Sequence, residues 1–257
     1  MKYALAPMLA VTLLTASQTE GPLVFEVASV KPSESGLFGG IRPAEGGQRY
    51  VASGVAVRFM IKVVYHIVDD QIIGGPAWMN TERFDVEGRA GRPSSLRELQ
   101  EMFQTLLADR FKLQFHRETK QLAAFALTVD KTGPKLTAND NPDQVGDVSV
   151  GPSTGKLPGM YVRKASMSYL CWHLAQFPDV GRPVLDRTDL KGYYDFKLEF
   201  APQTGGMMAD GAGEAPHTFF GPSIFTALRE QLGLKLTPEK GPVEVLVIDR
   251  LERPSSN

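Results

Sequence analysis

The feature that most constrains the fold is one order of motifs that occurs twice along the chain. Within residues 159–254 a strand pattern is followed by a helix, a Gly-x-Pro turn, a Tyr-Asp-Phe strand, a second helix and two closing strands. A weaker version of the same order lies within residues 23–131. A repeated supersecondary unit predicts a repeated structure, so we expect two related modules.

Five ordered matches support this prediction. The matched segments are residues 50–51 and 161–162, 74–76 and 181–183, 84–86 and 194–196, 106–113 and 228–236, and 128–130 and 247–249. The offset between the copies changes only in predicted loops, where insertions are tolerated. Because any two segments of helix and hairpin share some of this pattern, two unrelated modules remain the alternative.

Apolar periodicity predicts two helices in the first module. The first has apolar residues at i, i+4, i+8 and i+12, which form one face: Val55, Phe59, Val63 and Ile67. The second begins after Ser95, whose side chain caps early amides while Glu98 reaches back to it. Each helix therefore has one apolar stripe to bury.

Strand patterns close each module. Residues 112–116 and 125–130 flank a charged turn and predict a hairpin, and two further strands are predicted at 234–237 and 243–249. A small sheet has one apolar face, so two helices must lie on one side of it. The sequence therefore predicts an α+β fold of two related strand-helix-strand-helix-strand-strand modules, each a small sheet with two helices packed on one face.

The chain divides at a segment of different composition. Residues 132–158 are rich in Gly, Pro, Asp, Asn, Ser and Thr, which is typical of a linker. We therefore expect a first α+β module at residues 23–131, a linker at 132–158 and a second α+β module at 159–254.

The N-terminal segment has the pattern of a secretory signal peptide. Residues 1–17 contain one early cation, Lys2, an apolar run and three small residues at the end. The run is shorter than the ~20 residues that a membrane-spanning helix needs, and no other segment comes close. We expect an extracytoplasmic protein, periplasmic or secreted, with no membrane span after signal removal. A buried or disordered N-terminal segment is the alternative.

Composition argues against several classes of partner. The formal net charge is -1, and no run of Lys and Arg concentrates positive charge, so we expect no nucleic-acid binding. The four histidines have no metal-ligand spacing, and no Gly-rich phosphate or dinucleotide loop is present, so we expect no metal and no cofactor. The single cysteine, Cys171, has apolar neighbours typical of a core position.

Two serine motifs are better explained by turn chemistry than by catalysis. Residues 151–155 match a nucleophile elbow, but Pro158 and Gly159 follow where that motif needs a helix. Ser153 and Lys156 match Ser-x-x-Lys, but the accompanying Lys-Thr-Gly at 131–133 lies upstream instead of downstream. We therefore expect no catalytic residue among them. An extracytoplasmic hydrolase with an unrecognised active site stays open as the alternative function.

Several motifs together resemble a known family. They are Phe-Glu-Val-Ala-Ser-Val-Lys-Pro at 25–32, Leu-Ala-Asp-Arg-Phe-Lys-Leu at 107–113, Val-Leu-Asp-Arg-Thr-Asp-Leu-Lys-Gly-Tyr-Tyr-Asp-Phe at 184–196 and Gly-Pro-Val-Glu-Val-Leu-Val-Ile-Asp at 241–249. The chain resembles, over essentially its whole mature length, a large paralogous family of uncharacterised exported proteins expanded in soil Acidobacteria. Asp189 stands where that pattern has Gly, so a turn with positive φ would be slightly strained there.

The resemblance implies a binding or sensing role. The family has no established activity, so it implies no catalytic residue. Similar domains occur behind BlaR-type sensor peptidases, which implies an extracytoplasmic sensing role. This chain lacks their His-Glu-x-x-His motif.

Two loops supply the candidate ligand-binding residues. Trp78 lies in a Gly-Gly-Pro-Ala-Trp turn, and the corresponding loop of the second module carries Arg182, Asp186 and Arg187. Aromatic and Arg side chains on such loops are common in binding surfaces, so we expect an envelope protein, peptide or glycan to bind them near the module junction. In the structural alternative Trp78 closes the end of a core, Asp186 caps its turn and Arg187 pairs with a carboxylate.

Overall fold

A computed structural model describes residues 21–34, 37–141, 147–152, 157–202 and 220–254. The predicted signal peptide and the motif residues Ser153 and Lys156 lie outside these ranges. In chain order the described strands are β1 (Val27–Pro32), β2 (Gly40–Ala44), β3 (Arg49–Ala56), β4 (Ile72–Gly74), β5 (Arg83–Arg89), β6 (Gln114–Val129), β7 (Thr137–Ala138), β8 (Asp147–Pro152), β9 (Pro158–Ala165), β10 (Val184–Asp186), β11 (Tyr194–Glu199) and β12 (Leu234–Arg250).

The α-helices lie between some of these strands. They are α1 (Val57–Val64), α2 (Trp78–Thr81), α3 (Leu96–Arg110), α4 (Met167–Gln176) and α5 (Ile224–Ala227), which continues as a π-helical turn at Leu228–Leu232. The predicted capping box is confirmed, because the Ser95 hydroxyl accepts from the Glu98 amide while the Glu98 carboxylate accepts from the Ser95 amide. Sheets and helices together confirm the predicted α+β class.

The described strands form three four-stranded sheets. The first has the order β1-β5-β3-β2 and the third the order β7-β11-β9-β8, and both are antiparallel throughout. The central sheet has the order β10-β6-β12-β4. In it β6 and β12 pair antiparallel along their whole length, while β4 joins β12 and β10 joins β6 in parallel.

Two hydrophobic cores lie at the two ends of this central pair of strands. The first core joins the first sheet and helices α1 and α3 to Leu246 of β12. The second joins the third sheet, α4 and α5 to Leu234 of β12. Side chains an even number of residues apart point to the same face of a strand. Leu234 and Leu246 of β12 are an even number of residues apart, so both cores lie on the same face of the central sheet.

The two halves have the same topology. The strands β1, β2, β3 and β5 of the first sheet correspond in order and direction to β7, β8, β9 and β11 of the third. The correspondence extends to one hydrogen bond: a carboxylate oxygen accepts from the amide of a residue with positive φ at 2.7 Å in both halves, Asp85 from Gly54 and Asp195 from Lys164. A common origin by duplication stays a prediction.

The predicted pairs of closing strands are wrong. Residues 114–116 and 125–129 belong to one 16-residue strand, β6, and residues 234–249 to one 17-residue strand, β12. The charged residues that suggested a turn occupy the middle of β6, between the two cores, where the strand is exposed. Polar residues interrupt the apolar alternation there because neither core reaches them. Residues 137–138 and 147–152, inside the predicted linker, form β7 and β8.

One of the five sequence matches is also wrong. The Gly-Gly-Pro segment at 74–76 begins at Gly74, the last pairing residue of β4, whereas the Gly-Arg-Pro segment at 181–183 precedes the pairing residues of β10. The two turns therefore lie at opposite ends of their strands. By contrast, the expected strain at Asp189 is confirmed, because this residue has a φ of 58°.

Candidate functional site

Trp78 packs against the end of the first core. It is half-buried at the start of α2, its ring stands edge-on to Phe84 at 6.3 Å, and the Arg253 guanidinium lies 5.2 Å from its centre. Arg253 is itself held by the Glu82 carboxylate at 2.7 Å. These contacts agree with the structural alternative for Trp78 and leave its role in binding a prediction.

The other three predicted residues lie around β10. One carboxylate oxygen of Asp186 accepts from the amide and the hydroxyl of Thr188 at 3.0 and 2.7 Å, so this residue caps its turn. Arg187 lies 3.5 Å from the Glu239 carboxylate. Both contacts were expected in the structural alternative. Arg182 is exposed and makes no hydrogen bond or ion pair within the described ranges.

The structure does not bring Trp78 and Arg187 together. The strand that precedes Trp78 ends opposite Ile248 of β12, while Asp186 pairs with Leu127 of β6, which lies opposite Leu236. The twelve residues from Leu236 to Ile248 correspond to roughly 40 Å of extended strand. Whether any of these four residues binds a ligand stays a prediction, but they do not form one surface.

The junction of the two halves instead contains an aromatic and histidine cluster. We call it the junction cluster, and its members are His66, Tyr169, Trp172 and His173. The His66 ring lies 4.8 Å from Trp172 and 5.3 Å from Tyr169, and Tyr169 lies 4.7 Å from His173. The Trp172 indole N–H donates to the Ile67 carbonyl oxygen at 3.3 Å.

Local geometry explains how these residues meet. Tyr169, Trp172 and His173 have the spacing i, i+3 and i+4 in α4, so they share one helix face. His66 follows α1 with a φ of 53°, a left-handed conformation that ends the helix and turns the chain. Its Nε2 lies 3.0 Å from the Gln100 side-chain oxygen, which fixes the ring against α3.

Both histidines of the cluster favour the neutral form. Burial lowers the pKa of His66, and the Gln100 hydrogen bond only partly offsets it. Burial, together with the nearby His66, lowers the pKa of His173 to about 4. The His173 Nε2 atom is buried without a hydrogen-bond partner. A buried nitrogen in this state is uncommon and marks a place that a polar ligand or water can satisfy.

An open cleft lies near the cluster, since its lining residue Gln176 donates from its side chain to the Trp172 carbonyl oxygen at 3.4 Å. Its volume is about 150 Å³. One wall is formed by the end of α1 and the segment after it, and the other by the end of α4 and the segment after it. The lining residues are Lys62, Val68, Asp69, Asp70, Ala175, Gln176, Phe177, Pro178 and Gly181. The cleft therefore lies between the two halves and presents both charge signs.

Ion pairs organise the first wall of this cleft. Asp69 bonds to Lys62 and to Arg58, whose guanidinium also donates to the Asp69 and Ile72 carbonyl oxygens. Burial raises the pKa of the Asp69 carboxyl, but the two cations outweigh it and the net shift is downward. Asp69 is therefore a fixed anion at neutral pH, and exposed Asp70 beside it remains available to a ligand.

A second histidine group lies on β6. His116 has Nδ1 2.9 Å from the Asp249 carboxylate and Nε2 3.1 Å from the Glu118 carboxylate, and these contacts raise its pKa. Because both ring nitrogens contact carboxylates, neither is free to take a proton from a nucleophile. The arrangement is that of a surface ion pair. The sequence predicts His116 at the end of a strand, whereas the structure places it inside β6.

Two further results come from the part of the chain that the structure describes. Among these residues, no group of three or more His, Cys, Asp and Glu side chains could hold a metal ion. No helix there is long and apolar enough to cross a membrane. Cys171 is buried in the second core, and this burial raises the pKa of its thiol.

Sequence reasoning missed the junction cluster. In the sequence Trp172 is only an apolar neighbour of Cys171, and the four histidines have no metal-ligand spacing. The spacing of Tyr169, Trp172 and His173 was the available signal, because it predicts one aromatic face on α4. Nothing local indicated His66 as the partner of that face, since it lies more than 100 residues earlier in the chain.

Comparison with known proteins gives a match to a family of proteins. The family model described as Protein of unknown function (DUF3738) matches residues 58–251, which run from α1 to the residue after β12 and include the whole junction cluster. Neither a curated protein nor a solved structure matches the chain significantly. The matched range covers both halves and well over half of the sequence, so the chain belongs to the DUF3738 family of proteins of unknown function.

Proposed function

We propose that this protein is an exported binding or sensing module without catalysis of its own, and that its ligand occupies the cleft beside the junction cluster. The observation that carries the proposal is the position of the cleft: its walls come from both halves. A ligand there contacts Asp69 and Asp70 on one side and Gln176 and Gly181 on the other. Sites between structural units are a common location for ligands.

The size and charge of the cleft limit the ligand. Its volume of about 150 Å³ is roughly that of five water molecules, which corresponds to one side chain or a very small molecule. Lys62 and the two neighbouring aspartates offer both charge signs at its rim. This favours a polar residue of a peptide or envelope protein, or one sugar substituent of a glycan, over an apolar molecule.

Export is supported by the signal-peptide pattern at residues 1–17. Mass spectrometry of protein from its native host should give a mature N-terminus between about Ala16 and Gly21, at the small-residue site. An intact N-terminus in the cytosolic fraction would contradict this part of the proposal. The resemblance to domains behind sensor peptidases supports a sensing role.

The contacts of two described histidines support a role without catalysis. His66 bonds to Gln100, and His116 contacts carboxylates through both nitrogens. A screen of ester, amide, glycoside and β-lactam substrates should therefore give no turnover. Turnover that disappears in Ser153→Ala would instead favour the hydrolase alternative.

Trp172 provides a direct readout of binding. The chain has two tryptophans, so Trp78→Phe leaves Trp172 as the only indole, and the cleft residue Gln176 donates to the carbonyl oxygen of Trp172. Free amino acids, short peptides and monosaccharides are titrated while its fluorescence is recorded. We expect at least one class to change the emission with saturation.

Variants then locate the ligand. Loss of a hydrogen bond to a charged group weakens binding by about tenfold or more, so Asp70→Asn and Gln176→Ala should both weaken it. Asp109→Asn, on the exposed end of α3, is the matched control and should leave affinity unchanged. A ligand whose affinity is the same in all three variants would move the site away from the cleft.

A further inference from the structure

Among the described residues, one edge of the central sheet is left unpaired over much of its length. Phe125 donates its amide to Pro183 and Leu127 accepts from the Arg187 amide, so the odd-numbered residues of β6 direct their backbone groups away from β12. The strand β10 pairs only with Phe125 to Leu127. The outward backbone groups upstream of it are therefore left without a backbone partner in the described chain, and they belong to Phe115, Arg117, Thr119, Gln121 and Ala123.

The corresponding edge of β12 is protected. Because of the antiparallel register, the even-numbered residues of β12 direct their backbone N–H and C=O groups away from β6. Two of them are Pro238 and Pro242, which have no amide proton to offer. A third, Glu244, has its carbonyl oxygen bonded by the Gln71 side chain. Prolines at outward positions are a common protection of sheet edges, and β6 contains none.

Charged residues beside the open edge restrict what can pair with it. Glu118 and Lys120 lie on one face of β6, 3.2 Å apart and both about two-fifths exposed. An incoming strand must place suitable charges opposite them, because like charges directly opposite each other are destabilising. The edge is therefore closed to most strands and open to one with the complementary order of charges.

We propose that a second copy of this chain binds at this edge, by antiparallel pairing of its β6 with β6 around a twofold axis at Thr119. This register puts Glu118 of each copy opposite Lys120 of the other and pairs the two Thr119 residues. Thr–Thr and opposite-charge pairs are favourable cross-strand neighbours. Over Arg117 to Gln121, about six backbone hydrogen bonds form between the copies.

Neighbouring registers are disfavoured by the same charges. A twofold axis at Glu118 or at Lys120 places this residue opposite the same residue of the second copy, so two like charges face each other. An axis at Arg117 places two guanidinium groups opposite each other. Among these registers, only the axis at Thr119 places an opposite charge across from both Glu118 and Lys120. The two central sheets then become one continuous sheet. This inference does not depend on the ligand cleft, which is formed by other elements.

The test is the oligomeric state of the protein as a function of concentration and charge. Sedimentation equilibrium at low ionic strength should show a monomer–dimer equilibrium. Glu118→Lys and Lys120→Glu each create two like-charge contacts across the axis and should raise the dissociation constant by about tenfold. The combined variant Glu118→Lys/Lys120→Glu restores opposite charges and should recover the original constant.

Lys240→Glu is the matched control, because Lys240 is an exposed residue on the protected edge of β12. It should leave the dissociation constant unchanged. A monomer at a protein concentration of roughly 0.5 mM would overturn the proposal, as even weak transient interfaces associate there. A dimer that is indifferent to the two single changes, or that Lys240→Glu weakens equally, would also overturn it. Thermal unfolding of each variant shows whether the fold is retained.

Discussion

Trp172 donates its indole N–H to the carbonyl oxygen of Ile67 at 3.3 Å, and this bond joins α4 of the second half to the segment after α1 of the first. The same indole lies 4.8 Å from the His66 ring. One side chain thus combines a hydrogen bond and a ring contact across the junction. Its removal should affect both halves together.

We expect Trp172→Phe to lower the free energy of unfolding by about 1–2 kcal/mol, because the Ile67 carbonyl loses its donor while a ring remains in place. Chemical denaturation measures this difference. Trp78→Phe is the control: no hydrogen bond of its indole is present in the described chain, so its loss should be smaller. An unchanged stability in Trp172→Phe would contradict the importance of this bond.

The junction cluster should make stability depend on pH. His173 has a folded pKa of about 4, below its usual value of 6.5. Above pH 6.5 it is neutral in both states and contributes nothing. As pH falls from about 6.5 to about 4, the unfolded state binds a proton that the folded state does not, and about 3 kcal/mol of stability is lost.

His173→Leu should remove most of this pH-dependent loss, measured as the difference between variant and original protein in urea denaturation at pH 7 and pH 4.5. His116→Asn is the control, because the pKa of His116 is raised and its contribution has the opposite sign. A stability difference between His173→Leu and the original protein that is the same at both pH values would contradict the prediction.

Two glycines with the same φ should respond differently to a methyl group. Gly54 and Gly46 both have a φ of 61°, but a Cβ at Gly54 would lie 2.1 Å from the Leu37 carbonyl oxygen. At Gly46 no described atom beyond its chain neighbours and its own turn lies within 4 Å of such a Cβ. Gly46→Ala should cost about 1 kcal/mol of strain, and Gly54→Ala at least about 3 kcal/mol. Thermal denaturation compares them, and equal losses would contradict the close approach at Leu37.

Cys171 should react only when the protein opens. Its side chain is buried, and burial raises the pKa of the thiol, so little thiolate is present and reagent access is blocked. The chain has one cysteine, so a chromogenic thiol reagent reports this residue alone. Labelling should be slow in buffer and fast in denaturant. Labelling in buffer at the rate of free cysteine would contradict the burial.

Local rules were sufficient for several features. The capping box at Ser95 and Glu98 and the positive φ at Asp189 follow from residues within one turn of each other, and both are present. The α+β class follows from the apolar faces of helices and strands, which are also local properties. The motif match of 84–86 with 194–196 likewise points to Asp85 and Asp195, whose hydrogen bonds correspond in the two halves.

The tertiary structure decided what lies far apart along the chain. Whether residues 114–129 form one strand or a hairpin depends on β12, more than 100 residues later in the chain. The backbone N–H and C=O groups of a strand bond to a neighbouring strand and not within the strand itself. The contact of His66 with Trp172 depends in the same way on how two separate helices pack. Sequence alone determined helix faces, caps and turn strain, since these arise from short-range sterics and hydrogen bonds. Strand pairing, the open edge of β6 and the junction cluster were decided only by long-range backbone pairing and side-chain packing.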